Sequence, residues 1–364
     1  MAVKARAIVS DGRGGFADAE IELDGPGPGE VLVEIRASGV CHTDFDSLRW
    51  PRPLILGHEG AGVVAALGDG VSHVAVGDPV LLNWAIPCGR CVQCRRGAES
   101  LCEAKPQVAN ERFRWSGGKV WPSFGLGTMA THALVARQAV VKIEVEIPFA
   151  SAAILGCGVM TGFGSVTNAA KVQPGSSVVV LGCGGVGLSC IQGAVHAGAR
   201  MIIAVDVNPA RLELATAFGA THTHLASRED PGLIEASKAV KALIGRGADY
   251  AFECTAVPEL GASPLAMVAN GGVAVAVSGI EQVVAIDMQL FEFDKLYINP
   301  LYGQCRPFTD LPMLLSLYAR KRLKLDEMVT RTYRLSAEGL REAFEHMKAG
   351  LNAKGVLIPL NARG

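Results

Sequence analysis

The chain has no block of like charge. Its 34 lysines and arginines nearly balance 35 aspartates and glutamates, leaving a net charge of −1 over 364 residues. Nucleic acids and anionic membrane surfaces bind concentrated cation patches, so neither is an expected partner. No apolar stretch of signal-peptide length opens the sequence, because MAVKARAIVSDGRGG is broken by charges and glycines. A cytoplasmic setting is therefore expected, where thiols stay reduced and disulfides are rare. There is no internal repeat and no low-complexity tract, which excludes a repeat architecture. The greasiest run, FASAAILGCGVMTGFGSV (149–166), is rich in Gly and Ser. It reads as a buried packing segment and not as a membrane span.

What is present is ample core. Hydrophobic residues make up 49% of the chain and charged ones 19%, enough for two ordinary domains. EVLVEIRASGV (30–40), GAGVVAAL (60–67) and GDPVLL (77–82) are apolar runs broken by Gly and Pro. They predict strands of an irregular, β-rich first domain. A polar stretch with two tryptophans, 103–128, is long for a loop, and such loops are often functional or interfacial. From about residue 159 the texture changes. SSVVVLG (176–182), MIIAVDV (201–207), ADYAFEC (248–254) and GGVAVAVSG (271–279) predict buried strands. Helices are expected over 185–199 and 208–220, giving a doubly wound parallel sheet. Beyond 302 a helix at TDLPMLLSLYARKRL and then mixed structure follow. The fold class is thus α/β, with 1–158 and 302–364 as one domain and 159–301 as the other.

Four of the ten cysteines fall within PCGRCVQCRRGAESLC: Cys88, Cys91, Cys94 and Cys102, spaced C-x2-C-x2-C-x7-C. Short C-x2-C steps turn thiolates toward one ion at ~2.3 Å, and four close a tetrahedron with no free position. An iron–sulfur cluster shares the first two spacings, but the x7 step and the lack of a second such run argue against it. Zinc in a structural role is the favoured occupant, ahead of a cluster or inert thiols.

LGCGGVG sets Gly182, Gly184 and Gly187 as G-x-G-x-x-G between a predicted strand and helix, with Gly185 and Val186 inside the turn. Such a turn brings backbone close to a pyrophosphate at a helix N-terminus. Asp206 ends the next strand, nineteen residues past Gly187, where a carboxylate bonds a ribose 2′-OH and repels a 2′-phosphate. NAD is expected over NADP. Cys41 in GVCHTD, His58 in LGHEGAG and Cys157 in LGCGVMTG are individually unremarkable. Jointly, beside a nucleotide fold, they suggest a three-ligand zinc with an open fourth position.

GVCHTD, GHEGAG, the four-cysteine lobe, GCGVMTGFGS, GCGGVG and AVDVNPAR occur in that order. On these motifs the chain resembles the zinc-containing medium-chain alcohol dehydrogenases over essentially its whole length. The resemblance implies a GroES-like catalytic domain and a Rossmann cofactor domain, two zinc ions per chain, and NAD. It implies that Cys41, His58 and Cys157 bind the catalytic zinc, with Glu59 behind the metal and Asp44 orienting the His58 ring. Cys88, Cys91, Cys94 and Cys102 would hold the structural zinc. Asp206 would take the ribose with Arg211 close by, and Lys354 would reach the pyrophosphate. Thr43 would pass the alcohol proton toward the ribose hydroxyls as hydride leaves for the nicotinamide. Asp46 stands where the relay commonly ends in histidine, and His42 where an arginine commonly meets the pyrophosphate. Trp84, Leu126 and Trp50, with Thr43, would line a mostly apolar substrate channel. Primary alcohols or aldehydes with aliphatic or aromatic tails would suit it. The length of 103–128 resembles the dimeric members. Alternatives are a glutathione-dependent formaldehyde or polyol dehydrogenase, or a non-enzymatic zinc-bearing binding protein on the same fold.

Overall fold

The computed structural model describes residues 2–360. The chain divides into two compact units, Met1–Cys157 with Arg306–Gly364, and Gly158–Cys305.

The first unit is built on two β-sheets. One has five strands in the order Phe113–Trp115, Phe16–Leu23, Val3–Ser10, Leu54–Ile55 and Trp121–Pro122. The other is organised by Glu30–Val40, the longest strand, which pairs antiparallel with Glu59–Leu67, His132–Ala136 and Lys354–Ile358. Nearly every position of this strand is buried or half-buried, because neighbours cover both its faces. Two register shifts, at Leu32/Val33 and Ile35/Ala37, bend it, as bulges do. Gly39 pairs with Glu59 at its far end. The register therefore sets the chain leaving at Cys41 beside the chain entering from His58. Helix Ala337–Lys348, capped by the Ser336 hydroxyl accepting from the Gly339 N–H, lays Leu340, Ala343 and Phe344 on Val40, Leu54, Met129 and Leu357. Burying such side chains contributes roughly 1.5–3 kcal/mol apiece.

The 103–128 stretch is less irregular than its composition suggests. It contributes two short strands, Phe113–Trp115 and Trp121–Pro122, and a tight turn over Ser123–Gly125. Phe124 in that turn has φ 53° and ψ 21°, a left-handed conformation that non-glycine residues seldom adopt.

The second unit carries one six-stranded parallel sheet. Taken in chain order its strands lie 3-2-1-4-5-6 across it, from His222–Leu225 at one edge to Leu296–Ile298 at the other. Ser177–Leu181 is buried throughout, as a central parallel strand must be. Asn208 caps Pro209–Ala217, its side chain accepting from the Ala210 N–H. The strand order reverses between Ser177–Leu181 and Ala248–Glu253, and ligands of doubly wound sheets settle at such switch points. Phe149–Ala153 and Gly158–Gly164, from the greasy run, are short helices and mostly buried. Among the described residues no single helix is long and apolar enough to cross a membrane.

Candidate metal and cofactor sites

Two groups of four metal-binding side chains stand in the first unit, each with its ligand atoms within 4.8 Å of one another: Cys88, Cys91, Cys94, Cys102 and Cys41, His58, Glu59, Cys157.

The four-cysteine group is local. Val92–Arg95 forms one helical turn whose N-terminal Cys91 accepts from the Cys94 N–H at 3.4 Å. The N–H groups of Arg90 and Cys91 point at Cys88 Sγ at 3.4 and 3.3 Å, and that of Cys88 at Cys102 Sγ at 3.2 Å. Donors aimed at sulfur favour the thiolate. The Arg90 and Cys91 N–H groups hold Cys88 below the usual thiol range, and the Cys94 N–H brings Cys91 to about 6. Cys88 and Cys94 sulfurs lie 3.9 Å apart, Cys91 and Cys102 sulfurs 4.0 Å. A tetrahedron with ~2.3 Å zinc–sulfur bonds has edges of about 3.8 Å. The cage fits zinc.

The second group is assembled from distant chain. Cys41 ends the long strand and opens the short helix His42–Ser47. His58 precedes Glu59–Leu67 by one residue. Cys157 follows the turn Ile154–Gly156, where a side chain at Gly156 would strike the Leu82 carbonyl oxygen at 2.4 Å. That glycine lets the turn approach the sheet. Asp44 braces the arrangement. Its Oδ2 accepts from the Cys41 N–H at 2.9 Å, and its Oδ1 lies 2.9 Å from His58 Nδ1. Asp44 is fully buried and His58 only 1% exposed, and His58 Nε2 has no hydrogen-bond partner. A buried ring nitrogen without a partner is costly. Here it faces two sulfurs, so the donor set fits a zinc ion.

The charges in this pocket are coupled. The Cys157 thiol beside Cys41 pulls Cys41 well below the usual thiol value, against burial and with help from His58. Burial opposes charge on His58, yet Asp44 and Cys41 outweigh it and push His58 well above its ordinary value. Metal entry into such a group displaces protons. Lys354, expected at the pyrophosphate, has two partners within the first unit. Its buried ammonium donates to Glu59 Oε1 at 2.7 Å and to the Val40 carbonyl at 3.1 Å. Burial raises Glu59, and Lys354 draws it back. The lysine's charge thus stands against the carboxylate beside the ligands.

Around the histidine lies an aromatic group. The Phe124 ring packs on His58, Trp84 and Trp50 at centroid distances of 4.9, 5.3 and 5.5 Å. Phe124 was missing from the sequence expectations. Leu126, which was among them, is 1% exposed, while Phe124 is half-buried and touches the histidine. The hint in the sequence is SFGLG, an aromatic residue set among turn formers. The Thr43 hydroxyl oxygen lies 3.7 Å from Cys41 Sγ. Asp46 is half-buried on the same short helix, and His42 at its start is exposed.

In the second unit the glycine turn has the shape a dinucleotide needs. Gly182 has φ 86°, a side chain at Gly187 would stand 1.8 Å from the Gly182 carbonyl oxygen, and a side chain at Gly184 would meet nothing within 4 Å. Gly184 caps helix Gly185–His196, and Val186 lies in its first turn. The backbone is thus tight at two glycines and open at the third, the cradle a pyrophosphate would fill. Asp206 is 7% exposed, and its carboxylate accepts from the N–H groups of Cys183 at 2.7 Å and Asn208 at 2.9 Å. Arg211 Nη1 stands 4.0 Å from it. Asp206 therefore also fastens the glycine turn, a task its place in the motif did not disclose.

Comparisons with known proteins agree with this arrangement. Residues 27–145 match the model of the alcohol dehydrogenase GroES-like domain, and 185–318 that of the zinc-binding dehydrogenase domain. The chain belongs to the zinc-containing medium-chain alcohol dehydrogenases. Among its relatives, the NDMA-dependent alcohol dehydrogenase of Amycolatopsis methanolica is 34% identical, over 98% of this chain and 99% of that protein. The class-3 alcohol dehydrogenase of Cereibacter sphaeroides is 35% identical, over 93% and 95%. The crystal structure of benzyl alcohol dehydrogenase from Acinetobacter calcoaceticus superposes with a TM-score of 0.89 at 30% identity, covering 98% of this chain and 99% of that one. The GroES-like and Rossmann expectation for this alcohol dehydrogenase stands on both family models.

Proposed function

We propose that the chain is an NAD-dependent zinc alcohol dehydrogenase that interconverts primary alcohols and aldehydes, with 1–158 and 302–364 as its catalytic domain and 159–301 as its NAD-binding domain. The observation that carries this reading is the Cys41–His58–Cys157 set, whose buried histidine is held by Asp44 at Nδ1 and has Nε2 turned to the sulfurs. Three protein ligands leave one position for an alcohol or carbonyl oxygen. Zinc there supplies Lewis acidity, and NAD supplies a hydride acceptor. Cys88, Cys91, Cys94 and Cys102 would hold a second, structural zinc.

The chain's own residues do the rest. Thr43, beside Cys41, accepts the alcohol proton and hands it outward, with Asp46 on the same helix as the next acceptor. Asp206 orients the adenosine ribose and disfavours a 2′-phosphate. Gly182, Gly184, Gly185, Val186 and Gly187 receive the pyrophosphate, with His42 and Arg211 as further cofactor-binding side chains. Phe124, Trp84 and Trp50 form an apolar wall next to His58 and keep water from the reacting atoms. Such a wall, and the benzyl alcohol activity named for the structural neighbour, favour substrates with a flat or extended apolar body. The length of 103–128 supports a homodimer.

The test is a panel of primary, secondary and polyhydroxy alcohols assayed with NAD and NADP. Reduction of NAD by primary alcohols, lost in Cys41→Ser together with about one zinc per chain, is the expected result. Preference for NADP, or turnover untouched by Cys41→Ser, would overturn the reading.

A further inference from the structure

The glycine turn leaves the parallel sheet between two carboxylates. Leu181, the residue before Gly182, pairs with Val205 on one side and with Glu253 on the other. Asp206 follows Val205, while Glu253 ends its own strand, Ala248–Glu253. The Glu253 side chain is fully buried. Its Oε1 accepts from the N–H and hydroxyl of Thr255 and from the Ala256 N–H, and its Oε2 accepts from the Ser278 hydroxyl. Both oxygens thus serve as acceptors, as those of a carboxylate do. Among the described residues no lysine, arginine or histidine forms an ion pair with it. A buried charge with hydrogen bonds but no counter-ion is costly to keep. Its field reaches the neighbouring side chains. Burial raises the Tyr297 phenol, and the Glu253 charge raises it further; burial, Cys190 and Glu253 together raise the Cys254 thiol.

The carboxylate lies where a cofactor would. Thr255 and Ser278 stand past the carboxyl ends of strands Ala248–Glu253 and Val268–Ala276, in the crevice where doubly wound sheets take their ligands. Cys254 and Thr255 close directly on the glycine turn, since a side chain at Gly182 would strike Thr255 Cγ2 at 2.8 Å and the Cys254 carbonyl carbon at 3.1 Å. Ala256 is held at φ 58°, a left-handed conformation rare outside glycine. Its N–H lies 3.1 Å from both Glu253 Oε1 and Ser278 Oγ. A dinucleotide crosses the switch point with one nucleoside on each half of such a sheet. With the adenosine on the half that carries Asp206, the nicotinamide nucleoside falls to the half that begins with the Glu253 strand.

We propose that the buried carboxylate of Glu253, on the nicotinamide side of the glycine turn, selects the oxidation state of the cofactor by favouring the cationic ring of NAD+ over the neutral ring of NADH. The inference rests on the NAD reading above and deepens it. Glu253 is a positioning residue that acts through its field, which is weakly screened in a buried site. Hydride arrival at the nicotinamide turns a cation into a neutral ring, so the attraction disappears as the reduced cofactor forms. Its release is eased by the same step.

The experiment measures the Kd of NAD+, NADH and ADP-ribose by calorimetry on the zinc-loaded wild type and on Glu253→Gln. Glutamine keeps the size and one acceptor oxygen for the Thr255 and Ala256 N–H groups, and its amide can donate to the Ser278 oxygen. NAD+ should bind roughly fivefold or more weakly in the variant, with NADH and ADP-ribose within about twofold of wild type. Glu253→Asp keeps the charge, so its ratio of NAD+ to NADH affinity should stay near that of wild type while any loosening of the turn weakens all three ligands alike. Should Glu253→Gln not fold, the double variant Glu253→Gln/Ser278→Ala, which removes the one contact whose direction glutamine reverses, takes the same three measurements. Two outcomes overturn the inference. Equal weakening of all three ligands in Glu253→Gln would make Glu253 a fastener of the turn alone, and unchanged affinities would show that its charge does not reach the ring. Failure of the wild type to bind NAD+, or tighter binding of NADP+, would instead bring down the underlying cofactor reading.

Discussion

Each metal group gathers four metal-binding side chains with ligand atoms within 4.8 Å of one another, yet the two are made in opposite ways. The cysteine cage spans fifteen residues of one loop, two of its sulfurs are only half-buried, and backbone N–H groups set its charges. The Cys41–His58–Cys157 group draws on ligands 116 positions apart in sequence, has only Cys41 half-buried, and relies on side chains behind the ligands: Asp44 on His58, Lys354 on Glu59. A cage made from local backbone needs only its own loop and can do little but hold an ion. A group made from distant strands depends on the whole sheet register, and in exchange it has a mixed ligand set and a free position. The first stabilises and the second reacts.

Four substitutions sharpen that contrast, from the largest expected effect to the smallest. His58→Ala should abolish alcohol oxidation and remove about one zinc per chain while the far-ultraviolet spectrum stays native, measured by elemental analysis and circular dichroism. Cys102→Ser should do the reverse in character. The lobe of 88–102 loses its ion and with it several kcal/mol of local stability. Protease should then cut first in that loop, and activity should decline in step with unfolding and not before it. Asp44→Asn keeps the shape but weakens the brace on His58. Loss of such a partner costs about 10–100-fold in metal affinity or activity, so chelator titration should show a weaker catalytic ion with the cage untouched. Asp206→Asn should leave both ions in place and shift the NAD-to-NADP preference by roughly tenfold. Because Asp206 also holds the Cys183 and Asn208 N–H groups, some loss of affinity for both cofactors should accompany the shift.

The same contrast explains what the sequence disclosed. The cage was legible because its spacing is its geometry. The central parallel strands were legible because burial on both faces writes a continuous apolar run, as in SVVVL. Edge strands carry no such mark. His222–Leu225, HTHL, is polar and four residues long, and Leu296–Ile298 is shorter still. Both went unforeseen, as did helix Ile234–Ile244 between them. Cys41, His58 and Cys157 were nameable as a set only with the nucleotide motif beside them, since each alone reads as packing. Lys354 and Phe124 show the limit. One turns inward to Glu59 because strand Lys354–Ile358 pairs with Glu30–Val40. The other reaches His58 because a left-handed turn swings its ring inward. Neither pairing register nor backbone hand is written in the local residues.

The central claim is that one group is closed and the other has a position to spare, and zinc release under a competing chelator tests it most directly. Wild-type enzyme should contain two zinc ions per chain and release them in two phases. The faster phase should run parallel with loss of activity, be slowed by a bound alcohol analogue and NAD, and be missing from His58→Ala. Release in a single phase, or a fast phase that survives in His58→Ala and disappears in Cys102→Ser, would contradict the division of labour between the two groups.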